Sequence, residues 1–301
     1  MVAEAECCPA LQPDRAAPGH APSAHVVNPK TLSAIRSALG VRLSEVIVGV
    51  DCATVHTKVG VALAERVDGR WHLKEVAAGA KIHPFDQIEA WLGEGHDSLL
   101  FALDAPLGWP RGLSESLLHH QAGQPLSIGP DFLFRRETDR FVQHLTGKRA
   151  LDVGADRIAR TAQWALLFLS IVRQSLQEPV PLAWGTPLGS RAAAIEVYPA
   201  ATLLSHGCSL QDYKKKAEGR AARNRIYAIL EEKLVCDPKC ITAVDNADAI
   251  DAIACVLAGI DFLDGKAVPP IDLPLAQQEG WIWVRPPHRG IAIENGGTNG
   301  G

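Results

Sequence analysis

The dipeptide Asp68-Gly69 constrains the fold more than any other feature of this 301-residue chain. It lies between two segments rich in apolar and β-branched residues, where Asp-Gly favours a type I′ turn because that turn needs positive φ at both positions. The segment before the hairpin, VIVGVD (46–51), has the continuous apolar pattern of a strand buried on both faces. The sequence therefore predicts three strands in an antiparallel meander.

Further along the chain, strand patterns alternate with helical ones. FDQIEAWLG (85–93) has the spacing of a short amphipathic helix, and LLFALD (99–104) has the pattern of a fourth, buried strand. Residues 111–178 are mostly helical in pattern, and AAAIEVYP (192–199) predicts a fifth strand. The remaining predicted elements are a basic helical stretch over 211–234 that Gly219 interrupts, a final helix over 246–263 with Asp245 as a candidate N-cap, and a short last strand over 280–286.

These elements follow the order β-β-β-α-β-(helices)-β-α. The sequence thus predicts an α/β protein with a mixed five-stranded sheet, in which a three-strand antiparallel meander is followed by parallel strands with flanking helices. This is the order of the ribonuclease H-like fold. We expect a single such domain over 45–286, with a helical insertion between strands 4 and 5 over about 111–190. Before this domain we expect a mostly disordered N-terminal extension over 1–44 with a candidate short helix, and after it a disordered tail over 287–301.

Composition narrows the function classes. With 30 Lys and Arg against 34 Asp and Glu, the formal net charge of −4 argues against a generally basic nucleic-acid binder, but not against a local basic face.

The seven cysteines are irregularly spaced, and only Cys236 and Cys240 approach a metal-binding spacing, without a second pair or nearby His. We interpret them as reduced thiols of a cytoplasmic protein. No apolar run reaches the ~18 residues of a membrane span, so no membrane partner is expected.

Acidic residues end three of the predicted strands. Asp51 follows VIVGV, Asp104 follows LLFAL and Glu196 follows AAAI. In open α/β sheets the ligand site lies at the carboxyl ends of the strands, so adjacent parallel strands would bring such acids together. Any one of them could instead face solvent or cap a turn. However, a carboxylate is costly to bury without a partner, and all three directly follow an apolar run.

The final predicted helix adds Asp248 and Asp251, which share one face because they are three residues apart. The rest of this helix is apolar on all sides, as is typical of a buried helix. The helix dipole accounts for an acid in the first turn, such as Asp248, but less well for Asp251. Clustered carboxylates repel one another, and Mg²⁺, which prefers carboxylate oxygens and water, is a common remedy. The sequence has no Gly-rich phosphate loop and no nucleophile-elbow motif.

Two basic segments are candidates for phosphate contact. FRRETDRF contains Arg136 and Asp139, and YKKKAEGRAAR contains Lys215 and Arg220. A solvated helix face is the usual structure of a charge run, whereas a local basic patch on a weakly acidic protein would contact phosphates. The residues alone leave both interpretations of the lysine-rich segment open.

Seven segments of the chain match the pattern of a known family, and their order is a more specific match than any single segment. They are GVDCATVHTKVGVALA (49–64), ALDAPLGWP (102–110), FRRETDRF (134–141), IEVYPAATL (195–203), YKKKAEGRAAR (213–223), DNADAIDAIACVLAG (245–259) and EGWIWVRP (279–286). In this order they resemble the domain-of-unknown-function family 429, described as predicted ribonuclease H-like nucleases. The resemblance implies a ribonuclease H-like core with a helical insertion, similar to resolvase-type nucleases. In those enzymes, acids of the first and fourth strands and a D-x-x-D on the last helix hold Mg²⁺ or Mn²⁺.

The resemblance also implies roles for particular residues. The implied metal ligands for Mg²⁺ or Mn²⁺, which are also catalytic, are Asp51, Asp104, Asp248 and Asp251. Glu196, in the E-V-x-P stretch, joins the predicted catalytic acids, with its role as a metal ligand left open. Arg136 and Asp139 are implied as substrate-binding residues, and we assign Lys215 and Arg220 to the same group. One departure is that resolvase-type sites usually carry Glu on the fourth strand, where this chain has Asp104.

We therefore predict a metal-dependent nuclease that hydrolyses phosphodiesters with a metal-activated water, acting on nucleic acid or a phosphorylated small molecule. One alternative is an actin-like ATPase or sugar kinase, because VGVDCATVHTKVGVALA resembles the phosphate-gripping hairpin of those proteins. The lack of a Gly-rich adenosine-binding stretch and of a duplicated domain counts against it. The other alternative is a catalytically inactive nuclease fold that binds nucleic acid or nucleotides. The oligomeric state and the exact substrate stay open.

Overall fold

The computed structural model describes residues 44–79, 83–93, 95–154 and 156–287. Apart from Ser44 and Pro287, the predicted N-terminal extension, its candidate helix and the predicted C-terminal tail lie outside the described residues. Within these ranges, every helix is too short or too polar to cross a membrane.

One mixed sheet of six strands lies at the centre of the described part of the chain. The strands are β1 (Glu45–Asp51), β2 (Gly60–Val67), β3 (Arg70–Ala78), β4 (Ser98–Asp104), β5 (Ala192–Glu196) and β6 (Val235–Cys236). Their order across the sheet is β5-β4-β1-β2-β3-β6. β1, β2 and β3 pair antiparallel, whereas β4 runs parallel to β1, β5 parallel to β4 and β6 parallel to β3. The first five strands have the order and directions of the ribonuclease H-like fold, so the predicted fold class is confirmed.

Two strand predictions differ from the structure at the edges of the sheet. β6 was not predicted, because two residues that pair beside His72 and Leu73 are too short to show a periodic pattern. The strand predicted over 280–286 is wrong, since this segment forms a single bridge between Ile282 and Glu196. At the β2–β3 turn, Asp68 and Gly69 have φ angles of 50° and 78°, as a type I′ turn requires.

Nine α-helices occur in the described ranges. They are α1 (Pro84–Leu92), α2 (Arg111–Leu117), α3 (Pro130–Phe134), α4 (Glu137–Thr146), α5 (Asp156–Leu176), α6 (Pro199–Ser205), α7 (Arg220–Glu231), α8 (Ala247–Leu263) and α9 (Leu273–Glu279). The helix predicted over 211–234 forms only from Arg220, and residues 211–216 adopt turns and bends. Asp245 does not cap α8, because it ends the preceding 3₁₀ helix, and Asn246 Oδ1 instead accepts a hydrogen bond from the Asp248 amide at 2.8 Å.

Helices cover both faces of the sheet, which explains the unbroken apolar runs of β1 and β4. On one face, Ile47 and Leu100 pack with apolar residues of α8. On the opposite face, Val48 and Phe101 pack with residues of α1 and α5. There the rings of Phe101 and Phe168 meet edge to face with centroids 6.1 Å apart.

Two glycines of the sheet allow the backbone of α8 to lie directly on it. A Cβ atom at Gly49 of β1 would overlap the carbonyl oxygen of Ala252, and one at Gly60 of β2 would overlap that of Asp248. Because no side chain separates the two backbones at these points, the first turns of α8 lie beside the carboxyl end of β1. This approach positions the acidic residues of the helix.

Candidate active site

Asp51 and Asp104 lie side by side at the carboxyl edge of the sheet. They are direct partners in the parallel pairing of β1 and β4, and their side chains are within hydrogen-bonding reach of each other. Both strands consist of five buried apolar or glycine positions followed by the acid, so matching the buried positions also aligns the carboxyls. The register of two buried strands thus brings two charges of the same sign together.

Asp248 and Asp251 reach the same place from the first two turns of α8. The Asp251 side chain is only 1% exposed, and Asp248 is half-buried. The negative charge of Asp251 acts on both Asp51 and Asp104, and that of Asp248 acts on Asp51. The structure therefore brings together the four predicted metal ligands, which we call the acidic group (Asp51, Asp104, Asp248 and Asp251).

Ionising the acidic group is unfavourable in the metal-free protein. Burial, followed by the charge of Asp251, raises the pKa of Asp104 to about 8 and holds that of Asp51 well above its usual range. Burial also raises the pKa of Asp248 and of Asp251. Desolvation and like charge thus act in the same direction on these carboxyls, and a nearby cation would relieve both.

Lys214 and Tyr213 hold the two oxygens of Asp251. The Lys214 ammonium lies 2.8 Å from Oδ2, and the Tyr213 hydroxyl donates a hydrogen bond to Oδ1 at 3.0 Å. Both contacts lower the pKa of Asp251 against the effect of burial. The sequence places Lys214 in a basic segment that could contact phosphate, but nothing in the spacing of the three consecutive lysines predicts its contact with Asp251.

Arg223 fixes the loop that carries these two contacts. Its buried guanidinium donates to the carbonyl oxygens of Tyr213 and Lys215 at 2.7 Å and of Lys216 at 2.9 Å, and to that of Val244 at 2.6 Å. These bonds draw the backbone of the loop toward α7, which explains why the predicted helix does not extend through it. The same bonds hold Lys214 in place over Asp251.

Glu196 forms its hydrogen bonds with residues outside the acidic group. Its carboxylate accepts hydrogen bonds from both terminal nitrogens of Arg136, at 2.6 and 2.9 Å, and from the Leu107 amide at 2.9 Å. Asp139 accepts from the Arg136 guanidinium at 2.8 Å and from its backbone amide at 2.8 Å, which caps α4. All three side chains are buried, and we call them the Arg136 network (Arg136, Asp139 and Glu196).

The other predicted substrate-binding residues lie on the surface. Lys215 forms an ion pair with Asp212 at 2.9 Å, and Arg220 forms one with Asp245 at 3.2 Å. Exposed pairs of this kind contribute little to stability. Arg136 and Asp139, in contrast, use their polar atoms inside the protein. A substrate contact at any of these four predicted residues stays a prediction.

A cleft of about 550 Å³ opens next to the acidic group. It borders Asp104, Lys214 and the Arg136 network, and the loop between α4 and α5 forms its opposite wall. This volume lies in the range of small-molecule sites. Because parallel α/β sheets bind ligands at the carboxyl ends of their strands, the cleft is where a substrate of the acidic group would lie.

The donor chemistry of the acidic group fits a hard divalent cation. Carboxylate oxygens are the ligands that Mg²⁺ and Mn²⁺ prefer, and raised carboxyl pKa values indicate a missing positive charge. Across the residues that the structure describes, however, no group of three or more His, Cys, Asp or Glu side chains is already arranged around a single ion position. Lys214 occupies Asp251 Oδ2 instead.

The strand order and the acids at the strand ends define a ribonuclease H-like protein with an acidic site. The chain belongs to the family described as "Protein of unknown function (DUF429)", whose model matches residues 49–274, so the resemblance drawn from the sequence is confirmed. No curated protein matches the sequence at a significant level.

Among solved structures, the chain is similar to RuvC of T. thermophilus in complex with a Holliday junction substrate. The similarity covers 72% of this chain and 95% of that one, with 11% sequence identity and a TM-score of 0.29. At that level of likeness, nothing about activity follows for this chain.

Proposed function

We propose that this protein is a metal-dependent nuclease, a hydrolase of phosphodiester bonds that uses Mg²⁺ or Mn²⁺. The observation that carries the proposal is the acidic group, where buried carboxyls with raised pKa values converge at the edge of the sheet beside a cleft. Buried acids without a matching number of cations destabilise a fold, so their convergence favours a functional role over a structural one.

Asp51, Asp104, Asp248 and Asp251 would hold the metal. When bound, a divalent cation supplies Lewis-acid stabilisation of the phosphoryl oxygens and activates water as the nucleophile. Its positive charge lowers the pKa of the carboxyls and so keeps Asp51 and Asp104 ionised at neutral pH. Without it, the Asp104 carboxyl, with a pKa of about 8, holds a proton at pH 7.

Lys214 and Glu196 would support the site in different ways. The Lys214 ammonium neutralises Asp251 and borders the cleft, so it also faces the position of a substrate phosphate. Glu196 accepts a hydrogen bond from the amide of Leu107, which lies three residues beyond Asp104, and another from Arg136. We infer that Glu196 orients the loop that follows Asp104 rather than holding the metal.

The test is a divalent-metal titration followed by hydrolysis of single-stranded, duplex and branched substrates. We expect Mn²⁺ or Mg²⁺ to raise the melting temperature and to switch on hydrolysis, and both effects to be lost in Asp51→Asn and Asp251→Asn. Asp86→Asn is the matched control, because Asp86 is an exposed residue of α1 outside the acidic group. Absence of both metal binding and hydrolysis in the unaltered protein would contradict the proposal.

The two alternatives predict other outcomes of the same experiment. An ATPase or kinase would be stabilised against heat by ATP and would not cleave phosphodiesters. For an inactive binding module, Asp51→Asn and Asp251→Asn would stabilise the fold and leave nucleic-acid binding unchanged, since removing neighbouring like charges relieves repulsion. Hydrolysis that depends on both aspartates excludes the two alternatives together.

A further inference from the structure

The cleft beside Asp104 has the size of a site for a small ligand. Its volume of about 550 Å³ is enough for one nucleotide, in the range in which proteins enclose small molecules. A double helix cannot enter a cavity of this size, whereas an unpaired base can be held in a closely fitting pocket. The volume therefore limits what can reach Asp104 from this side.

One wall of the cleft is apolar although part of it is exposed. Leu151, Ile158 and Leu210 line this wall, and Leu151 is 68% exposed. The neighbouring Tyr198 hydroxyl donates to the carbonyl oxygen of Arg149 at 3.3 Å, which ties the loop to the start of α6. Three apolar side chains that line one cleft form a surface that the apolar part of a ligand can cover.

The lining of the cleft also carries positive charge. Lys148, Arg149 and Lys214 all line it. Lys148 is exposed and forms no ion pair with any residue in the described ranges, and Arg149 has only an exposed pair with Asp152 at 3.1 Å. Such exposed pairs are weak, so both cations are available to an anion. The cleft thus combines apolar side chains, three cations and one carboxyl of the acidic group, Asp104.

We propose that this cleft binds one unpaired nucleotide, with its phosphate toward Lys214 and Asp104 and its base against Leu151 and Ile158. The phosphate end rests on the proposed function, and the inference adds the substrate class. The unit bound is a free nucleotide or the terminal nucleotide of a single strand, and a closed duplex is excluded. A ligand without a base would lack the contact with Leu151 and Ile158.

Calorimetry on the full chain with saturating Mg²⁺ tests the base-binding wall without any need for hydrolysis, because AMP contains no phosphodiester bond. We expect AMP to bind about tenfold more tightly than ribose 5-phosphate, because contact with a base is lost in the latter. Leu151→Glu should weaken AMP binding by about the same factor and leave ribose 5-phosphate binding within about twofold, since the introduced charge replaces the apolar contact.

Leu118→Glu is the matched control, because Leu118 is 73% exposed and does not line the cleft. It should bind AMP as the unaltered protein does, and Leu151→Ala provides a second variant without an added charge. Equal affinities for AMP and ribose 5-phosphate would overturn the inference. So would unchanged AMP binding in both Leu151 variants.

Competition distinguishes the two sources of the nucleotide. Displacement of AMP by a short oligothymidylate, but not by a duplex sealed at both ends with hairpin loops, assigns the site to a strand terminus. Displacement by neither assigns it to free nucleotides, and displacement by the sealed duplex overturns the inference. Metal-dependent cleavage of the sealed duplex without AMP binding would overturn this inference and leave the nuclease proposal standing. AMP binding without any hydrolysis would do the reverse.

Discussion

Two sets of buried carboxyls lie near each other at the strand ends and differ in how their charge is balanced. In the Arg136 network, one guanidinium contacts both Glu196 and Asp139, and backbone amides supply further donors. In the acidic group, the ammonium of Lys214, whose side chain is 65% exposed, contacts Asp251, and the exposed Lys58 acts on Asp248. The first set is complete within the protein, whereas the second lacks positive charge that a ligand could supply.

Burial alone does not distinguish the two sets, whereas their bonding partners do. Glu196 and Asp251 are almost equally buried, but hydrogen bonds from Arg136 satisfy Glu196, which links α4 to β5. Burial raises the pKa of both Glu196 and Asp104, but the charge of Arg136 opposes the rise at Glu196, whereas the charge of Asp251 adds to it at Asp104. Each of the following variants perturbs one set and is compared with a control residue outside both.

The largest expected effect comes from removing the guanidinium of the Arg136 network. Arg136→Met leaves Glu196 and Asp139 buried without their cation, so we expect the free energy of unfolding to fall by about 3–5 kcal/mol. Urea denaturation followed by circular dichroism measures the change. Arg111→Met is the control, because Arg111 pairs with Glu115 at the surface and its loss should cost less than about 1 kcal/mol. Similar losses in the two variants would show that the network is not a structural unit.

Displacing α8 should disturb the acidic group without altering any of its side chains. In Gly60→Ala, the new methyl group would overlap the Asp248 carbonyl oxygen, and we expect a loss of about 1–3 kcal/mol in unfolding free energy. The rise of the melting temperature with Mn²⁺ should become smaller as well. Gly189→Ala, where nothing lies within 4 Å of the added atom, should change neither quantity. A full Mn²⁺ response in Gly60→Ala would mean that the position of α8 does not control the site.

The stability of the metal-free protein should fall as the pH rises. Because the pKa of Asp104 is about 8 in the folded protein and about 3.9 in an unfolded chain, the folded state binds more protons between these values. The contribution of Asp104 to stability is complete below its unfolded-state pKa and is lost as the pH rises through its folded-state pKa. The free energy of unfolding then falls by up to ~1.4 kcal/mol per pH unit. Urea denaturation at several pH values in EDTA measures this slope.

Asp104→Asn should reduce the slope, and Asp86→Asn should retain it, because Asp86 is exposed outside the acidic group. Saturating Mn²⁺ should flatten the dependence in the unaltered protein by favouring the ionised carboxyls. An identical slope in Asp104→Asn would mean that the carboxyls do not titrate as a coupled group.

How much could be predicted from the sequence depends on whether the relevant contact is local. Asp51 and Asp104 could be placed at one edge of the sheet because each ends an apolar run. Asp248 and Asp251 could be placed on one face of a helix because they are three residues apart. The bonds between Arg136 and Glu196 join residues 60 positions apart, and no periodic pattern encodes such a pairing. The position of Lys214 could not be predicted either. It depends on hydrogen bonds from the Arg223 side chain to backbone carbonyls of a loop whose sequence has a helical pattern.

The smallest expected effect concerns Lys214, the cation that contacts Asp251 directly. Lys214→Gln should lower the unfolding free energy of the metal-free protein by less than about 1 kcal/mol, because the ammonium is largely exposed. The Mn²⁺-induced rise of the melting temperature should nevertheless exceed that of the unaltered protein, since Lys214 would no longer compete with a cation for Asp251. Lys215→Gln is the matched control, because that lysine is 62% exposed and pairs with Asp212 instead. If both variants respond to Mn²⁺ alike, Lys214 does not stand in for the metal, and Asp251 is bound to it for structural reasons, as Glu196 is bound to Arg136.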